Sequence, residues 1–167
     1  MPATIRGRRL LTPPLTVLLT VATALAVVLT LAAPADAGHL RRERKVDNAF
    51  QIVRNQQGDP YTYGAAGPHR FDCSGLMYYA FRKAGIRNIP RTSSAQYSFT
   101  RRIKKSRMRP GDLVFFYDGG GIYHAGVFAG RQNGRAYVIH ASRPGTDVKR
   151  DPIWTSQWKG GTLRFRR

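Results

Sequence analysis

Apolar residues in this chain of 167 residues recur first at helical spacing and later in the alternating pattern of strands. Between residues 46 and 57, Ala49, Phe50, Ile52 and Val53 have helix-compatible spacing, which predicts an amphipathic helix, and Gly58 and Pro60 follow as stop signals. A shorter helical turn is predicted over residues 94–100. The first half of the chain is therefore expected to be mainly helical.

A second helix is predicted to begin directly after Asp72, whose side chain is a favourable N-cap. Its apolar residues fall on one stripe, and Gly85 ends it. The stripe comprises Cys73, Leu76, Met77, Ala80 and Ala84. This pattern indicates a helix that buries one face against another layer.

The pattern changes at the turn formed by residues 110–112. Strands are predicted over residues 113–117, 122–129, 135–141 and 162–165, separated by glycine-containing turns. Helices followed by strands joined through short turns indicate an α+β fold with an antiparallel sheet.

The first 37 residues have the features of an export signal. Arg6, Arg8 and Arg9 precede a stretch without charge from residue 15 to 33, and Ala35 and Ala37 provide a small-x-small cleavage site. We expect residues 1–37 to be a signal peptide, residues 38–45 a short charged leader and residues 46–167 one domain of a secreted protein. An uncleaved membrane anchor remains the alternative, because about 19 apolar residues can span a bilayer.

The chain is strongly basic. Removing residues 1–37 takes three arginines and one aspartate from 28 basic and 9 acidic residues, and leaves a net charge of +17. Such a charge favours an anionic partner through long-range attraction. The densest run lies between Arg101 and Arg109. Export argues against nucleic acid and favours anionic wall polymers or lipid head groups, whereas a solvated face that binds nothing specific is equally compatible with the run.

Cys73 is the only cysteine, and an exported lone thiol has no disulfide partner within the chain. Its place at the start of a helix favours the thiolate, whereas the adjacent Asp72 opposes ionisation. A nearby histidine is therefore needed to activate the thiol. A buried structural cysteine is the alternative interpretation.

His124 and His140 lie on predicted neighbouring strands, each on one face of its strand. If the turn between them places Ala129 opposite Arg135, the two histidines are direct cross-strand neighbours with Cβ atoms about 5 Å apart. One imidazole would then take the Cys73 proton or pair with its thiolate, and the other would orient the first. A slip of one residue would separate them. A zinc site made by the same three residues is the rival hypothesis, and His39 and His69 are expected to be exposed and inert.

Six sequence blocks occur in an order that resembles the NlpC/P60 cell-wall peptidases. They are residues 61–64 (YTYG), 71–76 (FDCSGL), 90–96 (PRTSSAQ), 109–116 (RPGDLVFF), 124–128 (HAGVF) and 138–141 (VIHA). The resemblance extends from about residue 46 to the C-terminus. It implies that residues 46–167 form a catalytic domain and that the secreted protein is associated with the cell wall.

This resemblance implies a papain-like core in which the nucleophile helix packs on an antiparallel sheet. Cys73 would be the nucleophile, His124 the general base and His140 the group that orients it. Tyr61 would hold the oxyanion together with the Cys73 backbone N–H.

Asp72 and Ser74 resemble residues that hold the free amino end of a stem peptide. The implied reaction cleaves the bond between D-γ-glutamate and a diamino acid, usually meso-diaminopimelate, in peptidoglycan stem peptides. It proceeds through a thioester, in a monomer, without metal or cofactor.

Two departures from the family pattern bear on access to the cleft. Ala65 follows Gly64 where two glycines are common, and Tyr123 precedes His124 where a small residue is common. Two other functions remain open: a CHAP-like amidase that cuts between muramic acid and L-alanine, and a catalytically silent wall-binding protein.

Overall fold

The computed structural model describes residues 34–165, which contain three α-helices and six strands. The helices are α1 (Pro34–Asn55), α2 (Cys73–Lys83) and α3 (Ser93–Phe99). The strands are β1 (Arg101–Ile103), β2 (Leu113–Asp118), β3 (Gly121–Gln132), β4 (Arg135–Ala141), β5 (Val148–Pro152) and β6 (Trp158–Thr162), with a 3₁₀ turn at Lys105–Arg107. They form one antiparallel sheet in the order β1-β6-β2-β3-β4-β5, which confirms the predicted α+β fold.

Most of the predicted signal peptide, residues 1–33, lies outside the described residues. Within residues 34–165, none of the helices combines the length and the apolar character needed to cross a membrane.

Helix α1 begins earlier than the sequence pattern predicts. Residues 38–45, expected to be a leader, are helical and held by long polar side chains. Arg42 Nε donates to the Leu163 carbonyl at 2.7 Å, Lys45 Nζ donates to the Gly85 carbonyl at 2.9 Å, and Glu43 pairs with Arg109. These contacts link residues far apart in the sequence, so local periodicity does not reveal them.

Helix α2 is close to its prediction. The Asp72 carboxylate accepts the Gly75 N–H at 2.6 Å, as an N-cap should. The helix buries Leu76, Met77 and Ala80 and ends before Gly85, whose φ is +86°. Its packing against β3 and β4 brings its first residue to the centre of the sheet.

Three strands differ from the prediction. The short strands β1 and β5 were not predicted because both are rich in charged residues. The predicted strand at residues 162–165 is wrong, since β6 ends at Thr162 and contains Gly160 and Gly161. A Cβ at Gly160 would lie 2.6 Å from Met108 Sδ, and one at Gly161 2.3 Å from Thr100 Oγ1. The glycines here are packing sites within a strand rather than loop signals.

Both faces of the sheet are covered. Leu113, Phe115 and Val127 pack with the helices on one face. Val114, Phe116 and Phe128 pack with Val138 and Trp158 on the other. Side chains therefore alternate between two layers along the regular part of β2, from Leu113 to Phe116, and at Val127 and Phe128 of β3.

The predicted register of β3 and β4 is wrong by two residues. The strands continue to a tight turn at Asn133 and Gly134, both with positive φ, and a bulge lies between Phe128 and Gly130. Val127 therefore faces Ile139. A displacement by two residues preserves the face of each side chain, so His124 and His140 remain on one face as diagonal rather than direct neighbours.

Candidate active site

Cys73 lies at the first position of α2. The nearby backbone N–H groups of Ala125, Ser74 and Cys73 itself favour the thiolate and lower the pKa of the thiol. Burial raises the pKa of the thiol, the charge of Asp72 raises it further, and the N–H groups offset only part of this. Cys73 is therefore a thiol at neutral pH, and the helix terminus alone does not ionise it.

Strand β3 approaches Cys73 where its pairing with β4 stops. The ladder ends at Val127 and Ile139. Two residues before Val127, the backbone N–H of Ala125 lies near enough to the Cys73 sulfur to lower the pKa of the thiol. His124 is the residue next to Ala125 and therefore belongs to the part of β3 that approaches the nucleophile.

The two histidines form a buried pair. His124 Nε2 lies 2.7 Å from His140 Nδ1, and the two residues are 8% and 1% exposed. Burial, followed by the charge of His140, lowers the pKa of His124 to about 3. Burial also lowers the pKa of His140, although Asp151 opposes this. Both imidazoles are neutral near pH 7, so the state that precedes reaction is a neutral thiol beside a neutral base.

Tyr61 lies close to the same thiol. A backbone bridge joins it to Phe71, and its N–H donates to the Thr146 carbonyl at 2.9 Å. Burial raises the pKa of its hydroxyl, and the nearby Asp72 carboxylate and the Cys73 thiol, once ionised, raise it further. The phenol thus stays protonated and can donate a hydrogen bond beside the reacting sulfur.

The Asp72 carboxylate joins the separate segments of the site. Oδ1 accepts from Gly75 N–H, Ser74 Oγ at 3.2 Å and Arg91 Nη1 at 3.0 Å. Oδ2 accepts from Gly64 N–H at 2.9 Å and Arg91 Nη2 at 2.7 Å. Burial alone would raise the pKa of Asp72, but these donors together lower it. Asp72 is therefore an ionised anchor whose acceptor positions are already engaged.

Ser74 belongs to the same cluster, and its Oγ accepts from Arg91 at 3.0 Å. The contact of Asp72 and Ser74 with a substrate amine stays a prediction. Arg91 had no assigned role in the sequence, although it lies in one of the six blocks. Its reach of 19 positions along the chain to Asp72 leaves no local signal.

Two further residues of the site were missed. Asp151 Oδ2 lies 3.1 Å from His140 Nε2, and the Trp154 ring stacks on Phe116 at 4.4 Å with its centroid 5.5 Å from that of His140. Asp151 belongs to β5, where it faces Val138. Because β5 was not recognised, neither residue could be placed near the histidines.

The two departures from the family pattern have separate surroundings. The Ala65 carbonyl accepts the Asp72 N–H at 2.9 Å and Arg91 Nη2 at 3.2 Å. The Tyr123 side chain is exposed, with 51% of its surface accessible. Two other large apolar residues are also exposed, Tyr63 at 87% and Trp154 at 54%. Tyr123 directly precedes His124, and the ring centroid of Trp154 lies 5.5 Å from that of His140, so exposed aromatic rings lie close to the histidine pair.

The other histidines lie elsewhere. His39 is 3.9 Å from Glu43, and His69 is exposed. Across residues 34–165 there is no group of three or more His, Cys, Asp or Glu side chains arranged to hold a metal ion.

A thiol at a helix N-terminus, a neutral imidazole pair and a phenol donor define a cysteine-nucleophile site suited to acyl transfer. A sequence model described as the NlpC/P60 family matches residues 58–167. The chain belongs to the NlpC/P60 family.

Curated relatives are similar to part of this chain. The "Probable endopeptidase p60" of Listeria monocytogenes is 50% identical over 101 residues, which cover 60% of this chain and 19% of the relative. The "Bifunctional muramidase/DL-endopeptidase CwlT" of Bacillus subtilis is 44% identical over 115 residues, 66% of this chain and 33% of the relative. The chain thus spans about a fifth to a third of these relatives.

Solved structures have the same fold. The NlpC/p60 domain of the peptidoglycan hydrolase SagA superimposes with a TM-score of 0.60 at 27% identity, covering 71% of this chain and 98% of that domain. The peptidoglycan hydrolase RipB of Mycobacterium tuberculosis superimposes with a TM-score of 0.63 at 27% identity, covering 79% of this chain and 72% of that chain. The expected NlpC/P60 core is confirmed.

Proposed function

We propose that this protein is a secreted peptidoglycan endopeptidase that cleaves the bond between D-γ-glutamate and a diamino acid of the meso-diaminopimelate type. The observation that carries this proposal is the arrangement of Cys73 beside the buried His124–His140 pair. The names of the relatives, which include endopeptidases and peptidoglycan hydrolases, support the substrate class.

Each group has one role in the proposed reaction. His124 takes the Cys73 proton as the sulfur attacks the γ-amide carbonyl, and the Tyr61 hydroxyl and Cys73 N–H stabilise the oxyanion. The His124 imidazolium then protonates the leaving amine as the C–N bond breaks. Water, deprotonated by His124, hydrolyses the resulting thioester and regenerates the thiol.

The basic surface is proposed to hold the monomeric enzyme on anionic wall polymer. Residues 101–107 contribute five exposed cations along the edge strand β1 and the turn after it: Arg101, Arg102, Lys104, Lys105 and Arg107. Binding of Cys73→Ala protein to isolated walls should weaken in high salt and on walls without teichoic acid. Indifference to both would refute this part of the proposal.

The bond is tested with defined muropeptides that carry muramic acid, L-alanine, D-glutamate and diaminopimelate. Wild-type protein is expected to release products whose masses place the cut after D-glutamate. A cut between muramic acid and L-alanine would instead establish the amidase function. Absence of cleavage in every muropeptide and intact wall, together with wall binding, would establish the silent binding protein.

A further inference from the structure

Three buried or half-buried groups continue away from Cys73 in a single chain. His124 Nε2 lies 2.7 Å from His140 Nδ1, and His140 Nε2 lies 3.1 Å from Asp151 Oδ2. His124 is held on β3, His140 on β4 and Asp151 on β5, so three adjacent strands each contribute one member. The last member has no role in the reaction described above.

The chemistry of the last member determines the direction of both hydrogen bonds. The pKa of Asp151 is lowered, because hydrogen bonds from His140 and Lys149 outweigh the effect of burial. Near pH 7 it is a carboxylate and can only accept. His140 Nε2 must therefore carry the proton that it donates to Asp151.

The tautomer of His140 determines the tautomer of His124, because the two rings share a hydrogen bond. A neutral His140 with its proton on Nε2 has a lone pair on Nδ1, which accepts from His124 Nε2–H. A neutral His124 with its proton on Nε2 then has its lone pair on Nδ1. That nitrogen is the one left to take the proton of Cys73.

Without the carboxylate, the same two imidazoles could bond in the opposite sense. His140 Nδ1–H would donate to His124 Nε2, and the proton of His124 would lie on Nδ1. In this tautomer the ring cannot accept a proton on the side of the nucleophile. The distance between the two histidines would be unchanged, so position alone does not define the reactive form.

The surroundings keep this chain intact. Trp154 lies against both rings, with centroids 5.5 Å from His140 and 6.2 Å from His124. Lys149 Nζ lies 3.1 Å from the same Asp151 oxygen that faces His140. Lys149 helps to keep Asp151 ionised.

We propose that Asp151 is a positioning residue that selects the Nε2–H tautomer of His140 and, through it, the Nε2–H tautomer of His124, so that His124 Nδ1 is available as the base for Cys73. This inference refines the proposed hydrolytic function and rests on it. It assigns a role to a carboxylate outside the Cys73, His124 and His140 set.

The test compares Asp151→Ala, Asp151→Asn and Asp147→Asn in the full protein. Asp147 is exposed and lies just before β5, so its substitution matches the loss of charge without touching His140. Asp151→Ala is expected to lower kcat on a muropeptide about 10- to 100-fold with KM within about twofold, because it acts through a second residue rather than directly on the base. Asp151→Asn keeps an oxygen acceptor and should recover part of the rate, and Asp147→Asn should match wild type.

Ring nitrogen chemical shifts measured by NMR give a readout that does not depend on activity. Wild type should show both histidines as Nε2–H tautomers, and Asp151→Ala should show a growing Nδ1–H population at His124 with the far-UV circular dichroism unchanged. An Nδ1–H tautomer of His124 in wild type, or unchanged tautomers in Asp151→Ala, would overturn the inference. If wild type cleaves no muropeptide, the proposed function fails while the tautomer measurement still decides the role of Asp151.

Discussion

Replacing Arg91 with methionine should destabilise the fold through the carboxylate of Asp72. The Arg91 guanidinium donates to both oxygens of that carboxylate, at 3.0 and 2.7 Å, and the Asp72 side chain is only 10% exposed. Methionine retains much of the apolar stem of arginine and removes the charge and its donors. The ionised Asp72 would then depend on Ser74 and two backbone N–H groups.

The expected size follows from the exposure of the two partners. Breaking a fully buried ion pair costs about 3–5 kcal/mol, and an exposed pair contributes about 0.2–1 kcal/mol. The Asp72 side chain is nearly as buried as in the first case, but the Arg91 side chain is 34% exposed. An intermediate loss of about 2 kcal/mol in the free energy of unfolding is expected, which lowers Tm by about 6 °C in a domain of this size.

The loss should depend on pH. Because the pKa of Asp72 is lowered in the folded protein, its ionised form stabilises the fold above its unfolded pKa, and this stabilisation is lost as the pH falls through the folded value. Without Arg91, burial instead favours the protonated acid. The difference between wild type and Arg91→Met should therefore be full above about pH 5 and shrink below about pH 4.

Urea denaturation followed by circular dichroism, repeated from pH 3 to pH 7, measures both effects. Arg87→Met is the matched control, because Arg87 is exposed and loses the same charge a few residues away. Equal midpoints for the two variants at pH 7 would refute the role of Arg91. A difference from wild type that is the same at pH 3 and pH 7 would show that the lost interaction is not with the ionised carboxylate.

Three other substitutions or conditions test separate parts of the structure. Gly75→Ala would place a Cβ 2.0 Å from the Ala65 carbonyl oxygen, so it should lower the free energy of unfolding, measured by urea denaturation, by more than about 3 kcal/mol. Gly38→Ala on α1, where no atom lies within 4 Å of the new Cβ, should be neutral or slightly stabilising. Equal stability of the two variants would contradict the close contact at Gly75. Because the pKa of His124 falls to about 3, the unfolded chain binds more protons than the fold between about pH 6.5 and 3, so stability should decrease as the pH is lowered through that window, by about 1.4 kcal/mol per unit. His124→Gln should reduce this slope, and an unchanged slope would place its origin elsewhere. Trp154→Ala should admit water to the histidine pair and raise the pKa of both imidazoles, which moves the acid limb of the kcat/KM profile to higher pH. Trp154→Phe should retain most of the wild-type profile. An acid limb that does not move in Trp154→Ala would show that the indole does not shield the pair.

Elements determined by local signals were predicted well. The Asp72 cap, the apolar stripe of α2 and the glycine after it all lie between residues 72 and 85, and the observed helix agrees with them. Strand β4 has the predicted bounds, 135–141. The face shared by His124 and His140 was also predicted correctly, because a displacement of two residues does not change the parity of a strand.

Features determined by distant contacts were not predictable. The register of β3 and β4 depends on the Asn133–Gly134 turn and a compensating bulge, which together replace the longer turn assumed from the sequence. The sequence suggested a leader over residues 38–45 because the partners of their charged side chains lie far away in the chain, as Leu163 does from Arg42. Arg91 contacts Asp72, and Asp151 contacts His140, only because the tertiary structure brings these distant parts of the chain together.

The most direct test of the central claim is digestion of one defined muropeptide by wild type and Cys73→Ala side by side, with the newly released amino group of diaminopimelate quantified by mass spectrometry. Wild type should release it, and Cys73→Ala, shown by circular dichroism to be folded, should release less than about a thousandth as much in the same time. Equal release by the two proteins would contradict a mechanism in which Cys73 is the nucleophile.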